Sequence, residues 1–354
     1  MIFSKTKIDD KRYINVARGL GIFFMLWGHC IQYCCNGSFD FFNDSVYRFI
    51  YSFHMPLLML ISGYLFYFSS NKRNLNDLID HKIKSILYPI IVCSILFSLI
   101  TNTLMNILNG NIKAILSIDW FGYLTYYWFL WSVMICSIPI AFASKVKNMY
   151  VRLIIYFVGA LLVFIAPCGA NNLWMYPYYV LGFIYAKYKD FNFMISLKKI
   201  KLLSLIVFPI MLLFFTKDHF FYTTGLTGNI GFIGNMPTNL YRWAIGLIGS
   251  VFIFTLLDIF LSISTLKNPI ISFLNKLGEN SMQYYVLQCI LISFYLPIIC
   301  SKFALYIDNN LFINNTLVYD YLITLPLAVI FSVMIDLLIK FLYKANIGKI
   351  IFGR

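Results

Sequence analysis

Charged side chains are scarce in this 354-residue chain: Asp, Glu, Lys and Arg make up 12% of it, and glutamate occurs once, at Glu279. A soluble domain devotes about a quarter of its residues to charge, so a soluble globular fold is excluded. A lone glutamate also argues against a carboxylate-pair active site or an acidic metal cage. The eight cysteines, Cys30, Cys34, Cys35, Cys93, Cys136, Cys168, Cys289 and Cys300, show no CxxC spacing. They read as small apolar fillers, with no metal site and no disulfide framework. No Gly-Lys-Ser/Thr follows Gly225, Gly228, Gly231 and Gly234, which excludes a phosphate loop there. Stretches such as Ile86 to Ile107 do not alternate in the manner of a transmembrane barrel strand. The first apolar run lacks a small-residue cleavage site after it and is expected to be a retained span.

What the chain has in abundance is apolar surface, at 60% hydrophobic and 19% aromatic residues. A bilayer core is crossed by about 20 apolar residues, and lipid offers the backbone no hydrogen-bond partner, so the spans must be helices. The expected fold is all-α: a polytopic membrane protein of about ten transmembrane helices forming one domain over residues 1–354. The spans are expected at 14–33, 46–68, 83–108, 123–143, 151–166, 173–186, 200–215, 240–261, 282–300 and 318–343. The sixth is short.

The net charge of +14 would point to nucleic acid if it lay on a soluble face. Against a membrane it reports orientation instead. With the N-terminus in the cytoplasm, 23 of the 28 basic residues fall on the cytoplasmic side, as positive-inside topology requires. Arg48, Lys113, Lys217, Arg242 and Lys302 remain outside with Asp40, Asp44, Asp119, Asp218, Asp308 and Asp320, leaving that face near neutral. Both termini are then cytoplasmic, and the basic excess meets anionic lipid headgroups. No nucleic-acid partner is implied.

Two of the four histidines, His29 and His54, fall inside expected spans, where an ionisable group is a functional hypothesis by default. Arg18 and His29 are eleven positions apart, which on a helix is three turns plus roughly 20°, with a rise of about 16 Å. They share one face, and Asn15 and Gln32 extend the same polar stripe. Gly19, Gly21 and Gly28 permit close helix approach beside it. Taken singly, Arg18 reads equally well as a snorkelling headgroup contact and His29 as a packed histidine. Their shared face favours a site with His29 as general base.

The run from Arg12 to Ile22, ending in Leu26-Trp27-Gly28-His29, resembles the first helix of the acyltransferase family 3 membrane proteins, whose signature is an Arg and a His separated by ten residues. The segment Phe53-His54-Met55-Pro56-Leu57-Leu58-Met59-Leu60-Ile61-Ser62-Gly63-Tyr64-Leu65-Phe66 is similar to that family's second helix. Tyr127-Trp128-Phe129-Leu130 resembles its Trp-Phe-Leu motif, and Leu277-Gly278-Glu279-Asn280-Ser281 through Gln288 resembles its late Gly-x-x-Ser-x-x-x-Tyr segment. The resemblance covers essentially the whole chain. It implies transfer of an acyl group, usually acetyl from acetyl-CoA arriving from the cytoplasm, onto a sugar hydroxyl of a cell-surface polysaccharide or its lipid-linked precursor. The setting implied is a bacterial cytoplasmic membrane, with acyl-CoA as co-substrate and no tightly bound cofactor. Two positions depart from the pattern: Asn15 stands where Asp is common, and Gln288 where many members carry a His.

Under that reading His29 takes the proton of the sugar hydroxyl, and Arg18, nearer the cytoplasm, binds CoA phosphates. Asn15 and Lys84 join Arg18 at the donor site, Lys84 being equally readable as a positive-inside anchor. His54, Ser62, Trp128, Gln288 and Arg242 are candidates for acceptor binding or support. Trp128 is alternatively an interfacial belt residue, and Arg242 alternatively a surface arginine. Pro56 is expected to disturb the second helix. The loop over 216–239 is either a lid or a plain connection. The rival function is a transporter or flippase for a glycan precursor.

Overall fold

The computed structural model describes residues 9–34, 40–108, 124–188, 194–221, 234–264, 268–298 and 316–352. Among these the regular structure is entirely helical. The helices are α1 (Asp10–Cys34), α2 (Ser45–Lys72), α3 (Leu75–Lys82), α4 (Tyr88–Leu108), α5 (Trp128–Lys145), α6 (Met149–Ile165), α7 (Gly169–Tyr188), α8 (Met194–Leu213), α9 (Met236–Ile263), α10 (Pro269–Glu279), α11 (Ser281–Ile290), α12 (Leu325–Lys344) and α13 (Ile347–Phe352). Wider π-helical turns at Ile83–Leu87, Leu291–Tyr295 and Tyr319–Thr324 join α3 to α4, extend α11 and lead into α12.

Seven helical stretches among the described residues are long and apolar enough to cross a membrane. The runs expected at 151–166, 173–186 and 200–215 are also helical, as α6 with 17 residues and α7 and α8 with 20 each. Local chemistry fixes several starts. Asp9 Oδ1 accepts from the Arg12 amide at 2.7 Å, Asp44 Oδ1 from the Tyr47 amide at 2.7 Å and Asn74 Oδ1 from the Asp77 amide at 2.8 Å. Each satisfies a donor that a helix N-terminus otherwise leaves open. Large apolar side chains lie outward: Ile165 is 80% exposed and Ile263 78%. A lipid environment suits such surfaces and water does not.

The helices divide into two compact units, Met1–Tyr67 with Pro177–Met334, and Phe68–Tyr176 with Ile335–Arg354. In the first, α1 packs on α10 backbone to backbone. A Cβ on Gly19 would sit 1.8 Å from the Leu274 carbonyl oxygen, and one on Gly278 would sit 1.9 Å from that of Asn15. α2 and α7 meet the same way, since a Cβ on Gly63 would lie 2.0 Å from Tyr179 O and one on Gly182 2.0 Å from Leu60 O. In lipid, where apolar burial gives helices no drive to associate, small residues let dispersion and polar contacts do so.

In the second unit the buried Asn172 binds three segments. Its Oδ1 accepts from Ser132 Oγ at 2.9 Å, and its Nδ2 donates to Val163 O at 3.1 Å and Pro167 O at 2.8 Å.

Candidate active site

The site is built on α1. One face of it carries Arg18 at one level and His29 about three turns further on, as the helical spacing requires. At the first level Arg18 Nη1 donates to Gly278 O at 3.2 Å and Ser281 Oγ at 3.3 Å. These acceptors flank the break between α10 and α11, where Gly278 allows α1 to come close enough for the guanidinium to reach. Asn15 Nδ2 donates to Asn275 Oδ1 at 3.3 Å, and Asn275 Nδ2 to Glu279 Oε1 at 3.0 Å. Asn15 is therefore linked to the chain's one glutamate through another amide.

At the second level His29 Nδ1 lies 3.2 Å from Ser293 Oγ. Gln288 faces the same imidazole, and its Oε1 is buried with no hydrogen bond formed among the described residues. The ring is bracketed by Tyr33, edge-on at 5.7 Å, and Tyr51, stacked at 6.5 Å. Gly28 makes room for Tyr51, whose ring a Cβ at that position would approach to 2.7 Å. Tyr51 also packs edge-on against His54 at 4.7 Å and donates from its hydroxyl to Gln32 Oε1 at 3.0 Å. The two membrane-depth histidines are thus gathered around one tyrosine, and they are close enough for their charges to interact.

His54 Nδ1 is 2.8 Å from the carbonyl oxygen of Ile50. A carbonyl only accepts, so Nδ1 carries the proton and Nε2 keeps its lone pair. Pro56, inside α2, lacks the amide that would bond one turn back. Ser62 spends its hydroxyl proton on Leu58 O at 2.8 Å within its own helix.

One expected site residue and two outer-face charges take other places in the first unit. Arg242 is 3% exposed, so the surface alternative does not hold. Its guanidinium clasps the turn at 218–220, donating to the carbonyls of His219 at 2.8 Å, Asp218 at 3.1 Å and Phe220 at 3.0 Å, and to Asn239 Oδ1 at 3.0 Å. Asp44 and Asp320, counted from the sequence among outer-face charges, are 2% and 0% exposed. Burial pushes the Asp44 carboxyl above the usual carboxylate range.

Lys84 and Trp128 belong to the second unit. Lys84 pairs with Asp80 at 2.8 Å on an exposed helix face, and Trp128 stacks on Trp174 at 6.2 Å. Of the glycine-bearing loop, Gly225, Gly228 and Gly231 lie outside the described residues. Sequence reasoning did not single out Ser293 or Tyr51. The i,i+3 spacing of Tyr51 and His54 was the available signal for the second.

A family model described as an acyltransferase domain matches residues 11–337, nearly the whole chain and all of this site. The chain belongs to acyltransferase family 3. The chain is similar to nodulation protein NolL of Mesorhizobium japonicum, at 29% identity over 191 residues, covering 49% of this chain and 47% of that protein. It is also similar to nodulation protein NolL of Sinorhizobium fredii, at 23% identity over 189 residues, covering 49% and 48%. The similarity to these curated relatives thus spans about half of their length. No solved structure matches the chain. Membership of acyltransferase family 3 agrees with the motif resemblance and puts both histidines, Arg18 and the Gly278–Ser281 break inside one matched region.

Proposed function

We propose that this chain is an integral membrane O-acyltransferase that moves an acyl group, acetyl from acetyl-CoA, onto a sugar hydroxyl of a cell-surface polysaccharide or its lipid-linked precursor. The observation that carries the reading is the pairing on α1 of an arginine anchored at the α10–α11 break with an imidazole in hydrogen-bond contact with Ser293. A sugar hydroxyl is a weak nucleophile until a base takes its proton during attack. In this reading His29 takes that proton, the sugar oxygen bonds to the thioester carbonyl carbon, and the carbon–sulfur bond breaks. The imidazolium then returns the proton to the departing CoA sulfur. Gln288 Oε1 offers the charged ring an acceptor that the neutral ring does not need, which favours the state formed during transfer over the resting one.

Arg18, about 16 Å along the helix from His29, meets the CoA phosphates, and the pantetheine arm spans the interval. Both termini and the basic excess lie on the cytoplasmic side of ten spans, where the polyanionic donor arrives. Asn15 supports the donor, and His54, Ser62, Gln288 and Arg242 support the acceptor side, Arg242 by holding the turn it clasps.

The test incubates the purified protein in nanodiscs with acetyl-CoA and candidate glycans, following free CoA and acceptor mass. Acceptor-dependent CoA release, falling by about 10²–10⁴-fold in His29→Ala, is the result expected of a lost general base. Unchanged transfer by His29→Ala would remove the histidine from the chemistry. Movement of a glycan across sealed vesicles without CoA release would make the protein a transporter instead.

A further inference from the structure

We infer that Ser293 is a catalytic nucleophile: the acyl group passes first to Ser293 Oγ and only then to the sugar. The inference rests on the acyl-transfer reading and divides its one attack on the thioester into two successive attacks.

Three observations support it. Ser293 Oγ lies 3.2 Å from His29 Nδ1, within the reach that joins a hydroxyl nucleophile to its base. Among the described residues this is the one hydrogen-bond contact of that hydroxyl. Other helical serines spend their proton on their own helix: Ser62, Ser94, Ser250 and Ser332 each donate to the carbonyl four residues back. Ser293 sits instead in the wider π-helical turn Leu291–Tyr295, an irregularity that recurs at functional sites. The imidazole is the one acceptor its proton meets among the described residues. The hydroxyl of Tyr51, beside the same ring, is already committed to Gln32 Oε1 at 3.0 Å.

The second observation is access. His29 and Ser293 are both partly exposed, which leaves the pair open to a substrate. The third is the oxygen of Gln288, a residue 0% exposed, whose Oε1 is buried with no hydrogen bond among the described residues. A proton taken up at Nδ1 makes an imidazolium, and that oxygen is available to its second N–H. Nucleophile, base and a third group that orients the base are the parts an activated serine requires.

In the first step Ser293 Oγ bonds to the thioester carbonyl carbon as its proton moves to His29 Nδ1. The carbon–sulfur bond breaks, and the imidazolium gives the proton to the CoA sulfur. In the second step the sugar hydroxyl oxygen bonds to the carbonyl carbon of the serine ester as its proton moves to Nδ1. The bond to Oγ breaks, and Oγ takes the proton back. CoA has left before the sugar arrives, so a donor from the cytoplasm and an acceptor at the cell surface need not occupy the site together.

The experiment incubates the full chain in nanodiscs with ¹⁴C-labelled acetyl-CoA and no acceptor. A burst of about one CoA per protein is expected, with a covalent label that survives neutral hydroxylamine, is lost in alkali as an oxygen ester is, and maps to Ser293 by mass spectrometry. When a candidate glycan is added the label should move onto it, and reciprocal plots at varied acetyl-CoA and glycan should run parallel. Ser293→Ala should take no label and lower kcat by roughly 10³-fold or more. Ser293→Cys should take a label that neutral hydroxylamine removes, the mark of a thioester and a change that a purely structural serine would not produce. Melting curves matching wild type establish that the variants are folded, and the label on the wild type is read without them. Transfer by the wild type with intersecting plots and no label, a label on another residue, or wild-type rates in Ser293→Ala overturns the inference and leaves the acyl-transfer reading in place. A wild type that takes no label and acylates no acceptor overturns the acyl-transfer reading and the inference with it.

Discussion

Arg18 Nη1 donates to Ser281 Oγ at 3.3 Å, joining two segments 263 positions apart in sequence at the break between α10 and α11. Hydrogen bonds from a guanidinium to neutral acceptors aim the group while leaving its charge in place. Arg18→Ala is expected to raise the KM for acyl-CoA about 10–100-fold, the range of a hydrogen bond to a charged group. Steady-state kinetics with varied donor check it. A lower kcat at unchanged donor KM would assign Arg18 to structure instead.

The contact between α1 and α10 leaves no room for a side chain. Gly278→Val places branched carbons where the Asn15 carbonyl already stands. An overpacking cost of about 1–3 kcal/mol is expected, seen as a lower melting temperature in detergent with loss of transfer. Wild-type melting would mean that α1 has somewhere else to go.

Asn172 is 0% exposed and serves Ser132, Val163 and Pro167 together. Asn172→Leu keeps the volume but strands those polar partners, at an expected cost of about 1–3 kcal/mol. Asn172→Asp saves only the hydrogen bond from Ser132, so both variants should melt below wild type when followed by intrinsic fluorescence.

His219 Nδ1 accepts from the Thr216 amide at 3.0 Å, closing the turn that Arg242 clasps. Burial, then the nearby Arg242 charge, lower its pKa from the ordinary histidine value, against an opposing pull from Asp218. The folded state then binds fewer protons at this site than the unfolded chain. Its contribution is present above about pH 6.5 and is lost as pH falls towards the lowered folded value. Melting temperatures measured between pH 7.5 and 5 should fall more steeply for wild type than for His219→Asn. Parallel slopes would rule His219 out as the source.

Much of the fold was legible because lipid enforces it. A segment of about 20 apolar residues has few alternatives to a helix, and among the described residues each expected run falls largely on one. The Arg18 and His29 stripe was legible for the same reason, since α1 keeps a constant period over 25 residues. Ser293 was not, because the turn that aims it departs from that period. The surface alternative for Arg242 arose because a charged residue near a span end reads as exposed, and only tertiary structure reveals the carbonyls it binds. Asp44 and Asp320 were counted as surface charge for a related reason: each lies near a span end, and only the tertiary structure shows them buried.

The crossing of α2 and α7 at Gly63 and Gly182 has a mechanical reading. Main-chain atoms have no rotamers, so a joint made of them has no play, and substitution is the only way to adjust it. The helix that carries His54 is therefore hung from a fixed bearing. An inhibitor aimed at this site will find that wall of it stiff, and gains in fit will come from shaping the compound to the protein.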